Sequence, residues 1–446
     1  MLRGEIPRVW AVAWPLILTN LLHVAVGIVD YKMVGVLGVA SIAAVGMSRQ
    51  VMMLLMILMV AVSGGSSILV ARAYGAQDRQ QVRETAARSI AFMVVGTVLL
   101  VTPVGLVFSR PILMLLGGDA EVVRLGAAYL QILFAGSLVT SFNFAVTAIL
   151  LGVGKTRVSL VLLIGVNALN VVFNYALIFG VGSVPAFGVA GAALGTVIAH
   201  GFGCFAGVWI LRTPRYPIQA TLRDGLTLDL PLLRRMLYLG GPRSLQGIVR
   251  NFSGLVIIRI ITLLPDATRA VSAYSVGMQV RMTSSFIGLA FMSASLSRVG
   301  QNMGKGDAEL AEQSGWISAG MATGLMSALA LVFFFLPEAI MAFFTDDRDV
   351  IAMGRAFFMI VAVTEPVMAF AFALSGALRG GGDPVSPFVY ASVSDLLVVI
   401  LVGYLLAVQF QMGFAGIAVG ISLSAFTRAI PTMWTFRKGQ WKTTEV

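Results

Sequence analysis

A carboxylate lies inside the first long apolar stretch of the chain. Asp30 follows an almost unbroken apolar run from Trp10, and His23 precedes it by seven residues on the same helical face. An ionisable group in such a stretch is costly and usually faces a cavity or a partner. This carboxylate could exchange a proton, accept a cationic ligand or bind Na⁺. It could instead pair with Lys32 at the outer helix end, although a separation of two residues puts Lys32 on a different face.

Amide side chains recur in a later apolar stretch, "NALNVVFNYALIF". Asn167, Asn170 and Asn174 lie on neighbouring helical faces, and the last two are one turn apart. Such amides either hold membrane helices together or line a polar cleft, and the sequence leaves both open. If they line a cleft, Thr196 of the next stretch would reach into it.

Ionisable groups also lie inside apolar stretches of the second half. Arg281 is too deep to reach water easily and should have a carboxylate partner, for which Asp30 or Asp395 could serve. Glu365 stands next to a proline, where a kink frees backbone carbonyls. An Arg281–Asp395 or Arg250–Glu365 pair could equally do no more than lock helices together.

Flexible thioether side chains are a further group of candidates for a binding wall, because methionine adapts to ligands of different shape. Most of the 22 methionines are expected to face lipid or pack in the core, and the few expected near the cleft are Met33, Met47, Met278 and Met282.

Motifs that would indicate an enzyme are absent from the sequence. The segment "GVGKT" at 152–156 resembles part of a phosphate-binding loop, but Ile149 stands where that loop requires glycine. The single Cys204 gives no disulfide or metal set, and no catalytic Ser/His/Asp order occurs. We therefore expect no enzyme activity, cofactor, resident metal or nucleic-acid partner.

The elements that carry these residues are membrane helices. Of the 446 residues, 58% are hydrophobic and 11% are charged, against about 25% charged in soluble domains. Apolar stretches near the ~20 residues needed to cross a bilayer recur along the chain. Strand-like alternation is absent, which argues against a barrel. Twelve spans are predicted: 9–36, 45–70, 87–109, 123–150, 157–181, 188–212, 233–263, 271–297, 313–336, 353–378, 386–409 and 413–436.

The basic residues between the spans predict the orientation. With the N-terminus in the cytoplasm, 19 Lys and Arg residues fall on the inner side and 7 on the outer side. Cytoplasmic loops carry such an excess, so both termini are expected inside, in the cytoplasmic membrane. The net charge of +11 is explained in the same way.

Five sequence patches recur in the second half at an offset of 225 to 231 residues. Six spans per half place both halves in the same orientation, related by a pseudo-twofold axis along the membrane normal. We therefore predict an all-α protein of two six-helix bundles around a cleft, with domains 1–215 and 216–446 and a cytoplasmic linker at 212–235. The repeated patches are "VGM" (45–47 and 276–278), "YGAQD" and "MGKGD" (74–78 and 303–307), "GGDAEVV" and "TDDRDVI" (117–123 and 345–351), "GVGKTRVS" and "GGGDPVSP" (152–159 and 380–387), and "GVAGAALG" and "GFAGIAVG" (188–195 and 413–420).

The order and spacing of several segments resemble the MATE (multidrug and toxic compound extrusion) transporters over nearly the whole chain. These are "VDYKMVGVLGVASIAAVGMSRQ", "SILVARAYGAQD", "LGVGKTRVS", "GVAGAALGTVIA", "SRVGQNMGKGD" and "GALRGGGDP". The resemblance implies twelve helices in two bundles and export of cationic, amphiphilic drugs against a H⁺ or Na⁺ gradient.

The resemblance also implies roles for particular residues. Asp30 falls on the family's acidic residue of span 1, and Asn170 and Thr196 fall on polar positions around it in the DinF-like branch. Asn174 stands where the family often has Asp, which leaves Asp30 more isolated as the coupling group. Arg250 and Met368 stand near acidic positions of the NorM-like branch. A DinF-like, H⁺-coupled antiporter is favoured, and Na⁺ at Asp30 and Asn170 stays open.

The expected function is therefore alternating-access efflux of cationic amphiphiles by a monomer embedded in membrane lipid. Protonation of Asp30 would disfavour the bound drug. The main rival is a lipid-linked precursor flippase of the same superfamily, which would need a cationic cavity, and Arg250, Arg259 and Arg281 keep that reading open.

Overall fold

The computed structural model describes residues 2–214, 218 and 229–444, without the side chains of 2, 3, 53–55 and 58. Within them the chain is helical almost throughout. Most of the predicted linker 212–235, including Arg215 and Arg223, lies outside the described residues.

Eight helices of the first half lie within the described residues. A π-helical turn, Thr97–Val101, joins the third and fourth into one rod. They are α1 (Leu2–Gly35), α2 (Val39–Gly75), α3 (Arg79–Gly96), α4 (Thr102–Leu115), α5 (Ala120–Ala135), α6 (Ser137–Gly152), α7 (Thr156–Phe179) and α8 (Val189–Arg212).

Eight further helices come from the second half. Two π-helical segments, Ser394–Val402 and Leu405–Gln409, continue the seventh of them, and a 3₁₀ turn, Gln440–Thr443, follows the last. They are α9 (Leu230–Ile261), α10 (Ala267–Gly304), α11 (Ala308–Phe335), α12 (Pro337–Ala342), α13 (Arg348–Ala362), α14 (Glu365–Gly380), α15 (Val385–Val393) and α16 (Gly413–Lys438).

The twelve predicted spans each correspond to a helical segment. By length and composition, eight described segments can cross a membrane, and the pairs α5–α6 and α13–α14 add two broken spans bent by 54° and 51°. Helices α2 and α10, of 37 and 38 residues, occupy the predicted spans 45–70 and 271–297. The all-α architecture with six spans per half is therefore confirmed, while the twofold relation between the halves stays a prediction.

The chain contacts define two compact units. The N-terminal unit is Leu18–Gly241, and the C-terminal unit combines Met1–Ile17 with Pro242–Val446. The units differ from the predicted domains 1–215 and 216–446, because the first helix of each half begins in the unit of the other half. A chain segment joins the unit against which its side chains pack, and that packing cannot be read from hydropathy.

Buried ion pairing holds the first turns of α1 in the C-terminal unit. Glu5 is 1% exposed and accepts two hydrogen bonds, of 2.9 and 2.8 Å, from Nη2 of Arg298 on α10. Ser314 of α11 donates to the same carboxylate at 3.0 Å. A buried carboxylate needs such partners, so these contacts fix the start of α1 against α10 and α11.

Each unit has its own apolar core. In the N-terminal unit Leu113, Leu130 and Phe134 are fully buried where α4 packs against α5. In the C-terminal unit the rings of Phe357 and Phe358 are fully buried, and their centroids lie 5.7 Å apart in an edge-on arrangement.

Candidate functional site

Asp30 lies near the end of α1 in the N-terminal unit and is half-buried. Its Oδ1 accepts a hydrogen bond of 2.9 Å from Nδ2 of Asn174 on α7. The ion pairs of the described residues do not include one between Asp30 and Lys32. The helix-end pair with Lys32 is therefore not the arrangement that the structure shows.

A chain of hydrogen bonds leads away from Asp30. Nδ2 of Asn174 also donates to Oδ1 of Asn170 at 3.2 Å, and Nδ2 of Asn170 donates to Oγ1 of Thr196 at 3.0 Å. The Thr196 hydroxyl donates to the backbone oxygen of Ala192 at 2.9 Å. The structure thus brings together the four residues that the sequence analysis named for ion coupling.

The helices reach this arrangement because α7 and α8 pack closely. Asn170 and Asn174 are 5% and 1% exposed, and both face α8. A Cβ atom at Gly195 of α8 would contact Oδ1 of Asn174 and lie 2.8 Å from its backbone nitrogen. Glycine at that position therefore makes room for the amide that holds Asp30.

Arg49 of α2 also belongs to this site. In the sequence it is one of the seven basic residues assigned to the outer side, and nothing there links it to Asp30. Its positive charge interacts with Asp30 and with His23. The guanidinium carbon lies 5.2 Å from the ring centroid of Tyr31, a cation–π distance, and the group approaches Gly27. The phenol of Tyr129 on α5 lies within electrostatic range of Asp30 and Arg49.

The two histidines come together in the same unit. His200 of α8 lies within electrostatic range of His23 on α1. Asn143 of α6 donates a 2.8 Å hydrogen bond to the backbone oxygen of His200 and lies 3.3 Å from its Nδ1. The sequence did not predict the contact between Asn143 and His200. The two residues are 57 positions apart on different helices, and helical periodicity relates only residues of one helix.

The pairing expected for Arg281 is wrong. Its Nε donates to Oε1 of Glu365 at 2.7 Å rather than to Asp30 or Asp395. Ser284, one turn along α10, donates to the other carboxylate oxygen at 3.1 Å. Glu365 is 1% exposed at the start of α14, where the helix dipole also favours a negative charge. The expected Arg250–Glu365 pair is therefore wrong as well.

Asp395 takes its partner from α16. Nη2 of Arg428 donates to Oδ1 of Asp395 at 2.7 Å, and both residues are buried. Ser253 of α9 donates to the backbone oxygen of Asp395 at 2.8 Å. Asp395 is the second residue of the π-helical segment Ser394–Val402, whose wider turns leave backbone groups for such partners.

The four candidate methionines occupy different surroundings. Met33 and Met47 pack against two separate core clusters of the N-terminal unit, and Met278 packs against the core of the C-terminal unit. Met282 is 51% exposed. A role in a binding wall stays a prediction for all four.

Oxygen atoms around Asp30 are of the type that hard cations prefer. They are the carboxylate, the amide oxygens of Asn170 and Asn174, and the hydroxyl of Thr196. Oδ1 of Asn174 is buried and has no hydrogen-bond donor. Because Nδ2 of the same amide faces Asp30, a proton on Asp30 would reach this oxygen only after the amide group turned over.

The family model MatE matches the chain twice, over residues 15–176 and 242–405. The matches begin 227 residues apart (15 and 242) and end 229 residues apart (176 and 405). These offsets agree with those of the sequence repeats and confirm the duplication.

Curated relatives match the chain over almost its whole length. A probable multidrug resistance protein NorM of Thermotoga maritima is 26% identical over 435 residues, which cover 96% of this chain and 92% of that protein. The multidrug resistance protein NorM of Burkholderia vietnamiensis is 26% identical, with coverages of 95% and 92%.

Solved structures share the fold. A multidrug resistance MATE family transporter of the MOP superfamily, in an outward-facing conformation, matches with a TM-score of 0.88 and 20% identity, covering 100% of this chain and 98% of that one. A MOP superfamily transporter from Pyrococcus furiosus matches with a TM-score of 0.88 and 20% identity, with coverages of 99% and 97%.

Both halves of the chain match the family model, and the helical segments occupy the positions that twelve membrane spans require. The fold agrees with that of solved MATE transporters over the full length. The chain is therefore a multi-pass membrane transporter of the MatE family.

Proposed function

We propose that the protein is a multidrug efflux antiporter that exports amphiphilic compounds, cationic ones among them, in exchange for H⁺ at Asp30. Relatives named as multidrug resistance proteins support the efflux function. The single observation that carries the coupling role is a half-buried carboxylate in a membrane helix, hydrogen-bonded to the amide of Asn174, which in turn is bonded to Asn170. We call these hydrogen bonds, from Asp30 through Asn174 and Asn170 to Thr196, the relay.

The relay favours a proton over Na⁺ as the coupling ion. Asn174 supplies an amide where a second carboxylate would strengthen a cation site, so Asp30 is the only acid in the relay. If the amide of Asn174 turned over on protonation, its buried oxygen, which has no donor now, would accept a hydrogen bond from the protonated carboxyl group. Na⁺ coordinated by Asp30 and Asn170 is the second candidate, and the experiment below tests both.

Protonation would change both contacts of Asp30. The carboxyl group would gain a donor and would reorganise its hydrogen bond with Asn174, while Arg49 would lose the negative charge near it. A coupling ion shifts a transporter between states only through its different affinity for those states. We propose that the protonated arrangement disfavours the bound drug, so that proton entry and drug release are linked.

The orientation that we propose follows the basic loops. Both termini lie in the cytoplasm and the spans cross the cytoplasmic membrane, as the excess of inner Lys and Arg indicates. The drug then leaves the cytoplasm while protons enter it, so an inward proton gradient drives efflux.

Dye efflux from vesicles tests the proposal. Wild type, Asp30→Asn and the exposed control Asp346→Asn are compared with a H⁺ gradient and a Na⁺ gradient imposed separately. We expect H⁺-driven efflux in wild type and in the control and its loss in Asp30→Asn. Efflux of Asp30→Asn at the wild-type rate would refute the role of Asp30 and make Glu365 and Asp395 the next candidates.

A lipid-linked precursor flippase is the second candidate function. It is favoured by Arg250, which has no carboxylate within 4.0 Å among the described residues, whereas Glu365 neutralises Arg281 and Arg259 contacts Thr262 at 3.3 Å. The Pyrococcus furiosus transporter is described as having a binding pocket of reversed polarity that suggests a different function. Cells that gain no dye resistance on expression, but show an envelope defect on deletion, would support the flippase.

A further inference from the structure

Five arginines of the C-terminal unit form a set in which each lies within electrostatic range of at least one other, and we call them the arginine cluster. The charge of Arg379 interacts with those of Arg243 and Arg428. Arg243 interacts with Arg250, and Arg428 interacts with Arg250 and Arg281. The five residues come from α9, α10, α14 and α16, so the cluster exists only in the folded unit.

The cluster carries more positive charge than its carboxylates neutralise. Glu365 pairs with Arg281 and Asp395 pairs with Arg428. Among the described residues, no carboxylate lies within 4.0 Å of the other three arginines. The closest partner of Arg379 is neutral, since its Nη2 donates to the amide oxygen of Gln246 at 2.6 Å. In the part of the chain that the structure describes, three positive charges of the cluster are therefore without a carboxylate counter-ion.

Two members of the cluster are buried with incomplete hydrogen bonding. Arg379 and Arg428 are 3% and 6% exposed, and Nε of each has no acceptor. Their further contacts are to the sulfur atoms of Met292 and Met368 at 3.8 and 4.0 Å, and a thioether is a weak acceptor. A buried cationic group with an unbonded N–H donor costs free energy of folding. A ligand that is rich in acceptor atoms would recover part of that free energy by accepting hydrogen bonds from these donors.

The cluster is open on the side of α9. Arg243 and Arg250 are seven residues apart, so they share a helical face about 10 Å apart along the axis. That face also holds Leu239 and Ile257, which are buried, yet Arg250 is exposed and Arg243 is half-buried. A ligand can therefore reach Arg250 from the side of α9 that is turned away from its exposed apolar residues, such as Phe252, and Arg243 lies two turns further along the same face.

We propose that the arginine cluster binds the oxyanion group, a carboxylate, phosphate or sulfonate, of an amphiphilic ligand. Guanidinium groups bind such planar or tetrahedral anions through paired, charge-assisted hydrogen bonds. Arg250 and Arg243 would make the first contacts, and the unmet donors of Arg379 and Arg428 lie further along the same cluster. The inference rests on the proposed export function in one respect, the amphiphilic nature of the ligand. It adds anionic and zwitterionic compounds to the proposed substrates.

Calorimetric titration of the full-length protein in phosphatidylcholine nanodiscs tests the proposal, with empty nanodiscs as the blank. Dodecyl phosphate is the anionic probe, and dodecyltrimethylammonium is a cation with the same chain. We expect Arg250→Gln to weaken dodecyl phosphate binding on the order of tenfold or more, because a charge-assisted hydrogen bond is lost. Arg250→Lys should retain part of the affinity, and Arg348→Gln, an exposed change of equal charge at the first residue of α13, should retain all of it.

Further arms separate the possible outcomes. Dodecyl phosphate that binds wild type and Arg250→Gln equally, in a folded protein, would overturn the proposal, as would no binding to wild type. Competition by phosphatidylglycerol in the nanodisc would identify a lipid headgroup as the natural oxyanion, and its absence would identify a free amphiphile. The coupling role is measured by H⁺-driven dye efflux of Asp30→Asn, and the anion site by dodecyl phosphate binding of Arg250→Gln, so failure of one and failure of the other are distinguishable.

Discussion

Glu365 and Asp30 are both carboxylates in membrane helices, yet their partners differ. Glu365 is buried and bound by a guanidinium and a hydroxyl, so its charge is neutralised within the C-terminal unit. Asp30 is half-buried, and its hydrogen bond comes from a neutral amide. A carboxylate that must change its protonation state is better served by the second environment, because a tight ion pair strongly favours the ionised form.

Arg281→Gln should therefore unfold the protein more easily rather than alter its coupling. The change leaves the buried carboxylate of Glu365 without a counter-charge, which costs about 3–5 kcal/mol. The control is Arg355→Gln, which breaks an exposed pair with Glu338 worth about 1 kcal/mol at most. Thermal unfolding of the purified variants measures the difference. Equal melting temperatures for the two variants would contradict a structural role for the Arg281–Glu365 pair.

At the scale of helices, small residues decide how closely the helices approach. Gly195 lies where α8 crosses α7, beside the side chain and backbone of Asn174. Small residues at such crossings are common in membrane proteins because they bring backbones together. In this protein the crossing also sets the position of the amide that holds Asp30.

Gly195→Ala should reduce both stability and H⁺-driven efflux. The added methyl group would meet backbone atoms of Asn174 and Phe173, at 2.8 and 3.0 Å, which cannot move aside as a flexible side chain can. Overpacking of this kind costs about 1–3 kcal/mol. Gly201→Ala on the same helix meets nothing within 4 Å and is the matched control. Melting temperature and vesicle efflux are the measurements, and a Gly195→Ala variant with wild-type values for both would disprove the tight crossing.

At the scale of the whole molecule, the two halves repeat the same order of helices but differ in the charged and polar side chains that these helices carry. The N-terminal unit gathers one acid, amides and two histidines, and the C-terminal unit gathers five arginines and two acids. Duplication preserves the helix positions, while the side chains inside each half have diverged. This division supports separate roles for the halves, ion coupling in one and ligand recognition in the other.

The orientation of the whole molecule can be tested with single cysteines. Cys204 is the only cysteine, so Cys204→Ser provides a background without thiols. Lys305→Cys and Asp346→Cys then place one exposed thiol in each of two loops expected on opposite sides of the membrane. On intact cells a membrane-impermeant maleimide should label the Asp346→Cys variant, and it should label the Lys305→Cys variant only after permeabilisation. The reverse pattern would show the opposite orientation.

The sequence by itself determined the spans, their number and the duplication. These features depend on short-range effects that remain readable in one dimension. Asp119 and Asp347, which stand at repeated positions, each cap a helix by accepting a hydrogen bond from the backbone nitrogen three residues on. Apolar length sets the spans in the same local way.

Only the tertiary structure decided which charged groups meet. Helical phase correctly put Asn170 and Asn174 together, because they are one turn apart on one helix. It failed for Arg281 and Asp395, and it did not indicate that Arg49 lies within electrostatic range of Asp30. A partner on another helix depends on how each helix is rotated and where it bends, and packing over the whole unit fixes both.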